Sequence, residues 1–335
     1  MKDRALVVCD GGGIGDSLLA SVVARALHNH YRVVDALTLP GHRGALEHVP
    51  DIDGVIADTG ESVWKMARSL ASRRYDAAVV TWATLRTALV PLIAGIPVRV
   101  GQSRRLYSTL FTRRVPVLSE TGDTTTHWTQ ILLNYARALG CDTSDAQPKF
   151  QTTPDDEAQA ATILEQCRSS GDYALLHPTC AISSRRPIWP LEGWVALTRA
   201  LSQRYGCTLF VTGSEGDKAI AQRLAQHTAA ISLAGKTSIG AFAAIAKRAK
   251  FFVVMHSGPM HVAAAVGTPT VGLFPLQADF PDRWSPLGRA VTVVRPSYQC
   301  RPRERMETCP DYACVRNLRV DDVMAALERL APQFA

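Results

Sequence analysis

The sequence predicts an α/β protein built from two successive strand–helix series. Three observations carry this. Short continuous apolar runs rich in β-branched residues alternate with longer stretches at helical spacing. Two of the strand ends open onto glycine turns that lead straight into helices, at residues 10–16 and 256–259. The chain has 335 residues, enough for two domains that each bury a core.

In order, residues 5–9 (ALVVC) read as the first strand and residues 10–16 (DGGGIGD) as a glycine-rich turn. Residues 17–29 follow as a helix, with Leu18, Leu19, Val22, Val23, Ala26 and Leu27 at helical spacing. Strand 33–37, loop 40–44, helix 45–49 and strand 55–57 come next. Residues 62–74 make an amphipathic helix with Val63, Met66, Ala67 and Leu70 on one face. A strand at 75–80, a helix at 84–94 and a short strand at 98–100 follow. The stretch 99–114 is basic, with Arg99, Arg104, Arg105, Arg113 and Arg114 around Tyr107 and Phe111. It suits a solvated surface or a grip on phosphates. Residues 127–139 form a helix. The polar stretch 142–153, which contains Pro148, reads as the linker between domains 1–150 and 151–335.

The second series begins with a helix at 155–169, opened by Pro154, and a strand at 173–178. Loop 179–190 carries Arg185 and Arg186. Helix 194–205, strand 208–212, helix 217–227, strand 231–233 and helix 239–248 continue the alternation. Residues 251–274 then make one βαβ unit: strand 251–255, turn 256–259, helix 260–266 and strand 270–274. Pro259 near the helix start and Gly267 just past its end punctuate it. Residues 320–330 are a final amphipathic helix.

Bulk properties exclude several classes. A hydrophobic content of 47% with 20% charged residues rules out a disordered chain. No apolar run reaches the ~18 residues of a membrane-spanning helix. The start, MKDRALVVCDGGG, lacks the apolar core and cleavage site of a signal peptide, so a cytoplasmic protein is expected. The net charge of +7 suits an anionic partner. Dense basic blocks interleaved with aromatics are absent, so nucleic acid is not expected. The eight cysteines are expected as reduced thiols, with Cys9 and Cys207 as small core residues.

Two glycine turns compete as a nucleotide site. At the second, the first N–H groups of helix 260–266 lack intrahelical partners and carry the positive dipole end. Gly258 lets a phosphate approach them, Ser257 adds a hydroxyl, and His256 and His261 flank the position. The plain alternative is a packing unit with a serine cap. The first turn offers a dinucleotide fingerprint, with Gly11 and Gly13 in the first two glycine places and Asp35 as the ribose acid. Asp16 stands in the third place, where a carboxylate repels a pyrophosphate. That makes an NAD(P)-dependent oxidoreductase the rival reading. Asp16 can also act simply as a helix cap, contributing ~1 kcal/mol.

The stretch SGPMHVAAAVGTPTVGLF is similar to the signature of glycosyltransferase family 9, the bacterial heptosyltransferases of lipopolysaccharide core assembly. Two further segments, HPTCAISSRRPIWPLEGW and LAGKTSIGAFAAIAKRAKFFV, extend the resemblance over most of residues 173–290. The turn Gly15-Asp16 resembles the family's Gly-Asp motif. The resemblance implies a GT-B fold of two Rossmann-like lobes with the active site in the cleft between them. The first lobe would bind the acceptor and the second the donor. It implies an inverting, metal-independent transferase using ADP-heptose, with Asp16 as catalytic base and no cofactor. Thr179, Arg185, Arg186, Lys236, Thr237, His256, Ser257, Gly258, Met260 and His261 would bind the donor. Gly12, Gly13, Arg104 and Arg105 would meet an anionic glycolipid or glycan acceptor at the inner face of the cytoplasmic membrane. A protein acceptor is the alternative.

This chain departs from the family pattern in three places. Pro187 stands where a lysine is usual, with Arg186 one residue earlier. His256 replaces the usual aspartate, which touches the donor sugar in relatives. Ala241-Phe242 stands where a glutamate is usual. The cysteines Cys300, Cys309 and Cys314 resemble a loop that holds iron in some protein-modifying relatives. Only three ligands are local, so the alternatives are a metal completed from elsewhere and free thiols.

Overall fold

The structure is a computed structural model that describes residues 2–167, 171–180, 188–276, 279–298, 309 and 311–334. The chain divides into two compact units, Met1–Gln151 and Thr152–Ala335.

The first unit is a parallel sheet of six strands. They are β1 (Lys2–Cys9), β2 (Tyr31–Thr38), β3 (Gly54–Ala57), β4 (Ala77–Val80), β5 (Val98–Gln102) and β6 (Arg113–Val115). The helices are α1 (Ile14–His28), α2 (Arg43–Leu46), α3 (Val63–Ala71), α4 (Leu85–Ile93) and α5 (Trp128–Arg137). The spatial order is β3-β2-β1-β4-β5-β6, and every pairing is parallel. Strand β1 is central, with Leu6 opposite both Asp35 and Ala78. Its side chains from Ala5 to Cys9 are buried, as a strand covered on both faces requires.

Helix α1 differs from a surface amphipathic helix, since its residues from Ser17 to Leu27 are all buried. Its Arg25 explains how a cation is tolerated there. The guanidinium pairs with Asp51 at 2.8 Å and bonds the carbonyls of Asp145 and Gln147. Those two bonds tie the expected linker onto the first unit. Phe150, 5% exposed, stacks on His48 at 4.7 Å.

The second unit repeats the plan. Its strands are β7 (Tyr173–His177), β8 (Thr208–Val211), β9 (Ile231–Ser232), β10 (Phe252–Met255), β11 (Thr270–Leu273) and β12 (Val291–Val294). Its helices are α6 (Pro154–Gln166), α7 (Leu191–Tyr205), α8 (Lys218–His227), α9 (Ile239–Lys247), α10 (Gly258–Ala265), α11 (Pro281–Trp284), α12 (Ala313–Arg316) and α13 (Val320–Leu330). The order is β12-β11-β10-β7-β8-β9, again wholly parallel. Helix α7 shows how local sequence builds a layer. Trp194, Leu197 and Leu201 recur at helical spacing and are each 0% exposed. Gly206, in the left-handed region at φ 61°, ends the helix, its N–H bonded to the Ser202 carbonyl.

The expected elements recur with ends shifted by a few residues. Strands β6 and β12 and helices α11 and α12 are additions. Helix 45–49 instead forms at Arg43–Leu46, after a 3-10 turn at Pro40–His42. Cys9 and Cys207 are buried thiols, as expected. Among the described residues no helix is long and apolar enough to cross a membrane.

Asp35 lies in the middle of β2, 2% exposed, and is not at a strand end. Its Oδ2 accepts from Arg4 Nη2 at 2.7 Å and from the Tyr75 hydroxyl at 2.5 Å. It is a buried carboxylate committed to Arg4 and Tyr75 inside the core, and this removes the ribose acid of the dinucleotide reading. Asp35→Ala leaves the Tyr75 hydroxyl buried without that partner. It is expected to destabilise the protein by roughly 2–3 kcal/mol in urea denaturation.

Candidate active site

In each sheet the strand order reverses between two adjacent parallel strands, β1 and β4 in one unit and β7 and β10 in the other. The chain leaves the carboxyl ends of such a pair in opposite directions, and a crevice opens there. Both glycine turns singled out in the sequence sit at these points.

In the first unit, the turn after β1 leads into α1 with Gly13 as N-cap. Asp16, in the first turn of the helix, accepts the Gly13 N–H through Oδ2 at 2.7 Å. The carboxylate therefore caps the helix and is held in place by it. Gly12 has φ 69°, and a Cβ there would meet Asp16 Oδ2 at 2.7 Å. Only glycine fits that turn. A small pocket opens beside Asp16, walled by Cys9, Thr81, Trp82, Trp128 and Leu132.

Charged neighbours set the electrostatics of this end of the sheet. Asp58 is held as an anion by Arg86, whose Nε and Nη2 donate to its two oxygens at 2.8 and 2.6 Å. Burial raises the Asp10 pKa to about 6, and the Asp58 charge adds to the effect. His42 Nδ1 lies 3.0 Å from Ser17 Oγ. Burial lowers its pKa against the opposing pull of Asp16.

The basic stretch divides by role. Arg99 is spent on the carbonyls of Ile96 and Leu110, and Arg113 on that of Ala138. Arg104 and Arg105 are largely exposed, and both turn to Glu120. The Tyr107 hydroxyl donates to the Ala83 carbonyl at 2.6 Å, which anchors this stretch beside the end of β4.

In the second unit, β10 ends at Met255, His256 follows it, and Ser257 is the N-cap of α10. Ser257 Oγ is buried and has no hydrogen-bond partner among the described residues. Pro259 carries no N–H, and the Met260 N–H bonds the Ser257 carbonyl at 3.2 Å. Among the described residues, the N–H groups of Ser257 and Gly258 have no backbone acceptor and are left for a ligand. The Met260 side chain is fully buried against β11, and a Cβ on Gly272 would lie 2.7 Å from its Sδ. Met260 is thus a packing residue. His261 is 5% exposed on the same short helix. His256 stacks on Phe274 at 4.4 Å, and its Nδ1 lies 3.6 Å from Asp279 Oδ2. A carboxylate is thereby brought to the place where the sequence has a histidine for an aspartate.

Across the switch point, Thr179 follows β7 and is 6% exposed. Its Oγ1 lies 3.3 Å from His177 Nε2, and His177 Nδ1 lies 3.0 Å from Thr212 Oγ1. The Thr212 proton goes to the Leu176 carbonyl at 3.1 Å. His177 Nδ1 is therefore the donor in that bond, and Nε2 accepts the Thr179 proton. Lys236 is exposed and Thr237 half-buried in the turn between β9 and α9. Arg185, Arg186 and Cys300 lie outside the described residues. Among the described residues no group of three metal-ligating side chains occurs.

Sequence reasoning passed over Trp82, His177 and Asp279 as site residues. Trp82 lies two residues beyond the end of β4, and only the strand order brings that end against Asp16. Asp279 follows β11, and nothing in its local sequence points to His256.

Two Rossmann-ordered units in one chain, each with a glycine turn at the switch point, constitute the GT-B fold of nucleotide-sugar glycosyltransferases. The chain belongs to glycosyltransferase family 9 (heptosyltransferase), whose family model matches residues 63–312. It is similar to lipopolysaccharide heptosyltransferase 2 of Escherichia coli, 25% identical over 90% of this chain and 92% of that one. The solved structure of Escherichia coli ADP-heptose lps heptosyltransferase II superposes with a TM-score of 0.79 at 22% identity, covering 99% of both chains. A family 9 glycosyltransferase from Veillonella parvula superposes at 0.84 with 19% identity, covering 98% of this chain and 97% of that one. The protein is a glycosyltransferase, and the oxidoreductase reading has no support.

Burial drives the His177 pKa down to about 4, from an ordinary value of ~6.5. Between those values the unfolded chain binds more protons. This contribution is complete above pH ~6.5 and is lost as pH falls toward 4, by roughly 3 kcal/mol. Urea denaturation at pH 7 and pH 4.5 is expected to show this loss, with a flatter response in His177→Gln.

Proposed function

We propose that this chain transfers a heptose from ADP-heptose to a hydroxyl of the lipopolysaccharide core, with inversion and without a metal. The observation that carries the reading is the Asp16 carboxylate, capped onto α1 by the Gly13 N–H and bordering a small pocket at the first switch point. In relatives whose names specify the reaction, the donor is ADP-heptose and the acceptor lipopolysaccharide.

In this mechanism Asp16 takes the proton of the acceptor hydroxyl. The oxygen attacks the anomeric carbon, the carbon–oxygen bond to the diphosphate breaks, and ADP leaves. The second unit meets the charge that develops on ADP. The N–H groups of Ser257 and Gly258, the Ser257 hydroxyl and His261 are fixed donors for it. Arg185 and Arg186 are proposed to neutralise the diphosphate. Thr179, Lys236 and Thr237 line the nucleotide, and the His256–Asp279 pair faces the sugar. Gly12 and Gly13 border the acceptor, and Arg104 and Arg105 attract its phosphates. Leu106, 96% exposed next to those arginines, suits peripheral contact with an anionic inner membrane face.

Asp16→Ala is expected to reduce transfer by ~10²–10⁴-fold while ADP affinity survives, measured by ADP release and by calorimetry. Loss of both together would count against Asp16 as base. Turnover is expected to be unchanged by EDTA.

A further inference from the structure

The reading above leaves open what holds the acceptor ring while Asp16 takes its proton. We propose that the exposed indole of Trp82 is the platform on which the acceptor's sugar ring stacks. This rests on Asp16 being the base that meets the acceptor.

Three observations converge on Trp82. It walls the same pocket as Asp16, at the switch point of the first sheet. Its exposure is 39%, whereas Trp189 and Trp194, which serve only the core, are 2% and 0% exposed. Its position is also built. A Cβ on Gly11 would lie 2.0 Å from Trp82 Cδ1 and 2.1 Å from Nε1, so the pyrrole edge rests directly on the turn. The Trp82 carbonyl accepts from Thr87 Oγ1 at 3.0 Å, which fixes the backbone beneath the ring. Exposure alone is not the argument. Trp64 is 72% exposed, yet it lines no pocket with Asp16.

The chemistry matches a pyranose. One face of such a ring presents C–H groups, and its rim carries hydroxyls. The negative face of an indole attracts the C–H edge. A ring lying on Trp82 turns its rim hydroxyls toward Asp16, and the stack orients the nucleophile. The half-buried Trp128 closes the pocket as a second wall.

Trp82→Ala is expected to raise the acceptor KM about tenfold or more, with ADP affinity held within about twofold. Trp82→Phe keeps a ring and is expected to stay within about threefold. Gly11→Ala retains every atom of Trp82 but displaces the indole, and is expected to reproduce the acceptor defect. Binding is read separately by the Trp82 indole N–H resonance. Its assignment comes from Trp82→Phe, and the probe is core oligosaccharide from heptose-deficient lipopolysaccharide. A shift of that resonance supports the platform. No shift, an acceptor KM in Trp82→Ala within twofold of the parent, or an equal loss of ADP affinity overturns it. A resonance that shifts in a protein that transfers nothing from ADP-heptose would sink the proposed reaction and leave the platform standing.

Discussion

The reversal of strand order inside each sheet is the constraint on which the rest depends. A parallel sheet buries its strand interiors, so functional groups can emerge only at the edges and ends. Where neighbouring strands send their chains to opposite faces, no crossover helix covers their carboxyl ends. Strands β1 and β4 meet this condition in one half, and β7 and β10 in the other. Trp82, Thr179, His256 and Asp279 each follow one of those ends or a strand beside them.

The two turns at these ends share a backbone plan and differ in charge. After β1, the helix N-terminus is filled from within by Asp16, which occupies the place an anion would take. After β10, the helix is capped by Ser257, whose buried hydroxyl has no partner among the described residues, and Pro259 removes one N–H donor from its first turn. On the function proposed above, the first turn presents a base and the second receives the diphosphate.

Much of this was legible in the sequence, for reasons that are local. Buried strands announce themselves as apolar runs, and the helices by period. The glycine turns stand at strand ends, which the apolar runs mark locally. Strand β6 escaped because two of its three residues, Arg113 and Arg114, are exposed cations that break the apolar pattern. Strand β12 is only half buried, at the edge of its sheet. Asp35 was misplaced as a ligand acid because its partners, Arg4 and Tyr75, are distant in sequence. Met260 was read from its place in a motif, but its side chain belongs to the core. Trp82 and Asp279 depend on which strands lie side by side, information that no local window contains.

The repeated strand order has a consequence for how such a chain can change over time. Each half has its own sheet and its own core, and the boundary at Gln151 cuts neither. A half can therefore be exchanged with that of a relative without rewriting the interior of the other. On the division of labour proposed above, acceptor preference would travel with the first half and nucleotide-sugar preference with the second. Chimeras of this kind are a natural route by which one family could diversify the surface sugars it builds.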